Sequence, residues 1–197
     1  MHEKFEALIE GYLADDYATC EDFFDEKLIA ALRKNLLKGH ADGIMHRAGV
    51  GKQSSFQQNQ KVRGDVISWI ENDSIEPSEL GFMRIVEAFY RHLNQTCYTG
   101  INGCEFHNAL YETGSFYKRH LDQFKQDSNR QFSLVTYLNE DWVDTDGGEL
   151  VLYLSGEEKI IQPQGGRVVF FKADKIEHEV RPASRERMSI AGWLLRE

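Results

Sequence analysis

Cysteine is scarce in this chain. Cys20, Cys97 and Cys104 are the only three among 197 residues. An odd trio cannot build a disulfide framework, so the expected compartment is reducing, hence cytoplasmic. Long apolar runs are missing as well, and none approaches the length that spans a bilayer. The opening MHEKFEALIEGYLADDY mixes charges among its apolar residues, unlike a signal peptide. The Asn-x-Ser/Thr matches at Asn72 and Asn94 are then fortuitous. Positive charge is not in excess either. A net charge of −9 argues against a broad basic surface, so neither nucleic acid nor a membrane is expected as a partner. No internal repeat or low-complexity tract occurs.

What is present is ordinary in amount: 41% hydrophobic and 28% charged residues, in a length that suits one domain over residues 1–197. The first third reads as helical support, spanning about 1–95. Phe5, Leu8, Ile9 and Leu13 recur at helical spacing, and Leu28, Ile29, Leu32, Leu36 and Leu37 do so after a polar start at Asp25. Between them ATCEDFF suits a short strand and turn. From Gly39 to about Lys61 the periodicity vanishes into a polar, glycine-bearing stretch of the kind used as a lid or binding loop. A strand candidate, Val62–Ile70, follows. Then comes an amphipathic helix from Ser78 to about Leu93, with Leu80, Met83, Ile85, Val86, Phe89 and Leu93 expected inward.

Beyond Tyr98 the character changes to short β-rich runs separated by turn signals. These are Glu105–Glu112, Phe116–Leu121, Phe132–Leu138, Glu149–Leu154, Lys159–Gln162, Arg167–Phe171, Ile176–Arg181 and Arg187–Leu195. Eight such strands suggest an antiparallel jelly roll over about 98–197. The expected class is α+β, mainly β: a double-stranded β-helix with supporting N-terminal helices.

Within those strands one constellation carries chemistry. His120 and Asp122, two apart on a strand, project from one face. A distant His178 would complete a set of two histidines and one carboxylate, which binds Fe(II) and leaves coordination positions open. Nine residues later stands Arg187. Strand alternation puts Arg187, Ser189, Ala191 and Trp193 on one face and Met188, Ile190 and Leu194 on the other. An arginine inside a barrel needs an anion, and a carboxylate matches its planar fork. His2, His40, His46, His92 and His107 lie outside any ligand-like spacing.

The pattern His120-x-Asp122…His178…Arg187 resembles the 2-oxoglutarate, Fe(II)-dependent oxygenases of the prolyl 4-hydroxylase family. VRGDVISWIE (62–71), YKRHLD (117–122), TYLNEDW (136–142), GGELVLY (147–153), VVFF (168–171) and HEVRPASRERMSIAGW (178–193) resemble one branch of it. That branch comprises the oxygen-sensing hydroxylases of hypoxia-inducible factor and their bacterial relatives. The resemblance implies that His120, Asp122 and His178 ligate iron and that Arg187 and Tyr137 hold the far carboxylate of 2-oxoglutarate. It places Tyr111 and Trp193 beside the cosubstrate and metal pocket, with Val135 and Leu150 as apolar lining. Arg130 falls at the substrate entrance. Arg63 and Asp65, paired at the base of a finger loop of about 40–63, count as substrate-side residues. The implied reaction couples decarboxylation of 2-oxoglutarate by O₂ to hydroxylation at prolyl C4, releasing succinate and CO₂, with ascorbate as reductant.

The implied partner is a protein carrying a target proline, and bacterial members of the branch suggest the switch region of elongation factor Tu. Two alternatives stand beside this: an oxygenase acting on another protein or a free amino acid, and a catalytically silent jelly-roll binding module. Other motifs are weak. Gly49-Val50-Gly51-Lys52 fails the P-loop spacing. Arg63-Gly64-Asp65 reads as a local turn and ion pair. Cys97, Cys104 and His107 are too few and oddly spaced for zinc.

Overall fold

Apolar residues spaced by three and four give α1 (His2–Asp15) a buried face of Phe5, Leu8 and Ile9. The helix closes at Asp16, whose left-handed backbone (φ 64°) lets its N–H donate to the Tyr12 carbonyl. The chain returns as β1 (Tyr17–Cys20), and Asp25 then caps α2 (Glu26–Ala41) by accepting from the Leu28 N–H at 2.8 Å. Helix α2 runs through Gly39 and His40, where the irregular stretch was expected to start. One glycine costs a helix only about 1 kcal/mol, and Lys38 and His40 favour its C-terminal turn.

The structure is a computed structural model that describes residues 1–49, 62–123 and 129–196. Most of the expected finger, residues 50–61, therefore lies outside the described residues. On its near side β2 (His46–Arg47) pairs with β3 (Val66–Ile70). The strand expected from Val62 begins only at Val66. Residues 62–64 instead lie against the other sheet, where Lys118 N–H donates to Val62 O (2.9 Å) and Gly64 N–H to Phe116 O (3.0 Å).

Helix α3 (Pro77–Cys97) starts on a proline in its first turn, and its Tyr98 cap is left-handed at φ 53°. Its buried face is Ser78, Phe82, Val86, Phe89 and Leu93. Leu80, expected inward, is 38% exposed, and Phe82, not expected there, is fully buried. The stripe at i, i+4, i+7 and i+11 starts at Phe82, so Leu80 falls outside it and Met83 and Ile85 become its half-buried flanks.

All eight expected strands form: β4 (Gly103–Tyr111), β5 (Tyr117–His120), β6 (Arg130–Tyr137), β7 (Leu150–Leu154), β8 (Glu157–Ile161), β9 (Val168–Lys172), β10 (Glu177–Val180) and β11 (Arg187–Leu195). They make two antiparallel sheets, ordered β1-β9-β6-β11-β4-β3-β2 and β5-β10-β7-β8. This is the jelly roll. The outer face of the large sheet carries Phe106, Leu134, Phe170 and Ile190 onto Phe5, Phe23, Phe82 and Phe89 of the helical layer. Its inner face carries Ala109, Tyr111, Tyr137, Val169 and Phe171 toward Leu150, Leu152 and Val180 of the small sheet. Met188, Ile190 and Leu194 of β11 join the outer core, as alternation predicts. Asn139 locks the turn after β6, donating to Pro163 O (2.6 Å) and accepting from Met188 N–H (2.7 Å).

Candidate active site

The two sheets open at one end into a cavity of about 710 Å³, within the range of small-ligand sites. His120 closes β5 and is the register partner of His178 on β10, which brings the two rings to 4.3 Å. Asp122 is not on the strand, as had been expected. β5 stops at His120, and Asp122 sits in the bend beyond it. The bend is tied to β6 by hydrogen bonds from Ser133 Oγ to Asp122 Oδ2 at 2.7 Å, from Arg130 Nη1 to Asp122 O at 3.2 Å and from Gln123 Nε2 to Arg130 O at 2.9 Å. It turns the carboxylate back toward both imidazoles, 3.5 Å from His120 Nε2 and 3.5 Å from His178 Nε2.

The ligand atoms of the three residues lie within 4.8 Å of one another, and no other such group occurs among the described residues. Cys97, Cys104 and His107 form none. Each Nδ1 faces a backbone carbonyl, Lys118 O at 2.7 Å and Ile176 O at 3.1 Å. A carbonyl can only accept, so Nδ1 carries the proton and Nε2 presents its lone pair. Burial pushes His178 down to about 4, only partly offset by Asp122. Burial alone would raise the Asp122 carboxyl; His178 and His120, with the Ser133 bond, hold it below the usual range. Two imidazole nitrogens and one carboxylate oxygen gathered on one side would suit a divalent iron. Tyr117 stacks on His120 at 3.6 Å and 15°.

Arg187 opens β11 facing the same cavity and is 2% exposed. Its Nε donates to Gly148 O at 2.8 Å, and the guanidinium lies 5.0 Å from the ring centres of both Tyr111 and Tyr137. Gly148 has to be a glycine: its φ is +71°, and a Cβ there would stand 3.2 Å from Arg187 Cδ and 2.9 Å from Ala183 Cβ. No carboxylate pairs with Arg187 among the described residues. The buried Tyr137 hydroxyl beside it also lacks a hydrogen-bond partner among the described residues. A buried fork without an anion, next to an unmet phenol, suits a planar carboxylate.

A family model for the 2OG-Fe(II) oxygenase superfamily matches residues 106–195. A prolyl-4-hydroxylase structure from Pseudomonas putida is 32% identical, with 98% of this chain and 99% of that one covered and a TM-score of 0.89. The chain belongs to the 2-oxoglutarate, Fe(II)-dependent oxygenases of the prolyl 4-hydroxylase family. A prolyl hydroxylase from Trichoplax adhaerens, solved with a peptide fragment of the hypoxia-inducible factor oxygen degradation domain, is similar at 24% identity. The match covers 98% and 89% of the two chains, with a TM-score of 0.87. A prolyl 4-hydroxylase from Phytophthora capsici shares the fold at 18% identity, with a TM-score of 0.80 and coverage of 99% and 64%.

Around the cavity mouth the oxygenase holds its charges in pairs. Arg63 binds Asp65 through two hydrogen bonds of 2.6 and 2.8 Å and lies 4.6 Å over the Tyr117 ring. Asp65 is not among the residues that line the cavity; it positions Arg63, which is. Arg130 pairs with Glu105 at 2.7 Å and lies 3.4 Å over the Trp193 ring. Tyr111, Val135, Leu150 and Trp193 line the cavity. Burial drives the Tyr111 hydroxyl upward, so it stays a protonated donor.

Sequence reasoning passed over three residues here. Ser133 and Tyr117 hold two of the triad members, and His107 stands in the cavity wall. His107 was recoverable from spacing: it lies four residues before Tyr111 on β4, hence on the same face.

Proposed function

We propose that this oxygenase is a protein prolyl 4-hydroxylase that consumes 2-oxoglutarate and O₂ and releases succinate and CO₂. One observation carries the reading: three clustered ligand atoms and a buried arginine with no carboxylate partner among the described residues face one cavity. His120, Asp122 and His178 would hold Fe(II), and Arg187 with Tyr137 would hold the far carboxylate of 2-oxoglutarate. Bound together, the iron and cosubstrate supply the oxidising chemistry; the chain's own residues bind, orient and exclude water. Tyr111, on β4, would cap the cosubstrate. Val135 and Leu150 keep the pocket dry. Trp193, Arg130 and the Arg63–Asp65 pair shape the route by which substrate arrives.

A peptide suits the open mouth, where Trp69 and Leu121 are 40% and 37% exposed. The similar hydroxylase from Trichoplax adhaerens binds a peptide at this fold. The first target to test is the switch-region proline of elongation factor Tu, with ascorbate supplied as reductant. Incubation with Fe(II), 2-oxoglutarate and O₂ should make one proline of that protein heavier by one oxygen, with succinate formed in equal amount. Succinate without a modified proline would move the substrate to another protein or to a free amino acid.

A further inference from the structure

Two nitrogens in the cavity wall are buried and without a partner among the described residues: Nδ1 of His107 and Nε1 of Trp193. They lie on neighbouring strands, since β11 pairs with β4 in the register Ala191↔His107 and Trp193↔Glu105, and their rings are 5.6 Å apart. An indole N–H can only donate. The His107 tautomer follows from its other nitrogen. Nε2 stands 3.5 Å from Nη2 of Arg63, which can only donate, so Nε2 accepts and Nδ1 carries the proton. Burial, with Arg63 and Arg130 adding to it, pushes His107 down to about 3, so the ring is neutral. His107 is 3% exposed and Trp193 is 7% exposed, and Trp69 closes on His107 edge-on at 5.1 Å.

Two adjacent N–H groups without an acceptor carry a desolvation cost that a fold does not need, because apolar side chains of similar shape would avoid it. Neither nitrogen belongs to the metal triad or to the Arg187 pocket. Both residues line the cavity beside Arg63 and Arg130, which Asp65 and Glu105 already neutralise. What they lack is a neutral acceptor, and an extended peptide brings one at every residue.

We propose that His107 and Trp193 form a two-donor cradle for a backbone carbonyl of the bound prolyl segment. This rests on the reading of the protein as a peptide prolyl hydroxylase and names how that peptide is gripped. The cradle fixes the peptide by its main chain, so it contributes to affinity and placement without selecting a side chain. His107 is thus a positioning residue.

The test uses the full chain loaded with Mn(II) and 2-oxoglutarate, so that binding is read without turnover. The probe is the blocked peptide acetyl-Ala-Pro-Gly-amide, followed by ligand-observed magnetic resonance. His107→Leu should weaken binding roughly three- to tenfold, and Trp193→Phe, which keeps the ring under Arg130, should do likewise. In His107→Leu the affinity for 2-oxoglutarate should not change, and the melting temperature should stay level or rise, because an unsatisfied donor has been removed. Equal binding by wild type and His107→Leu overturns the cradle, as does a wild type that fails to bind the peptide. A variant that melts several degrees lower with unchanged binding shows a structural role and also overturns it. Failure of the hydroxylase reading looks different: the peptide binds with the expected loss on substitution, yet no proline is oxidised when Fe(II) and O₂ are supplied.

Discussion

The two faces of the large sheet are built to opposite specifications. The outer face is dominated by carbon, with Asn108 and Thr136 as buried polar exceptions: Phe5, Phe23, Phe89 and Phe170 meet with ring centres 5.3–5.6 Å apart, and helices cover them. The inner face buries Arg187, Ser189, Ser133, His107 and Tyr137, and among the described residues His107 Nδ1 and the Tyr137 hydroxyl have no hydrogen-bond partner there. The strands are the same on both sides; only the alternate residues differ. Stability is concentrated where side chains are apolar and packed, and reactivity where polar groups are held in place by the backbone without being satisfied.

That contrast breaks most sharply at the triad. His120→Ala or His178→Ala should abolish 2-oxoglutarate turnover while circular dichroism shows the fold intact, because neither ring belongs to the helical core. A folded variant that retains most activity removes that histidine from the ligand set. The outer face should answer in the reverse sense. Phe89→Ala should cost about 3–5 kcal/mol of stability in a denaturant titration. At low temperature the remaining folded protein should keep an unchanged 2-oxoglutarate requirement.

Arg187→Lys sharpens the comparison within the inner face. It keeps the charge and loses the fork, so the 2-oxoglutarate requirement should rise by roughly one to two orders of magnitude with little change in melting. An unaltered requirement would place the anion elsewhere. A smaller effect comes from protons. His107 and His178 titrate near 3 and 4 in the folded chain, against 6.5 ordinarily. The unfolded chain therefore binds protons that the folded one refuses. Stability of the metal-free protein is complete above about 6.5 and declines as pH falls toward 4. His107→Leu should flatten that decline, and melting curves across the interval read it directly. The smallest effect belongs to the periphery: Asp25→Ala should remove about 1 kcal/mol with no change at the site.

Much of this was legible in the sequence because period-two alternation and turn residues are local signals. The eight strands between Gly103 and Leu195 and the two faces of β11 follow from them. The bend at Asp122 was not legible. It depends on Ser133 and Arg130, which reach it from β6 and have no spacing relation to it. Leu80 and Phe82 exchanged places because a stripe of apolar residues fixes the helix, while its exact heading depends on which neighbour it packs against. The face of His107 was legible from its spacing to Tyr111, but not its setting, which depends on its neighbours Trp69 and Trp193.

The central claim is that the inner-face cavity binds iron and 2-oxoglutarate together. It is tested most directly by anaerobic titration of the purified protein with Fe(II) and then 2-oxoglutarate, followed by visible absorption. The account predicts a charge-transfer band that appears only when both are present, is absent in His178→Ala, and needs far more 2-oxoglutarate in Arg187→Lys. A wild type without the band, or an undiminished band in His178→Ala, would contradict it.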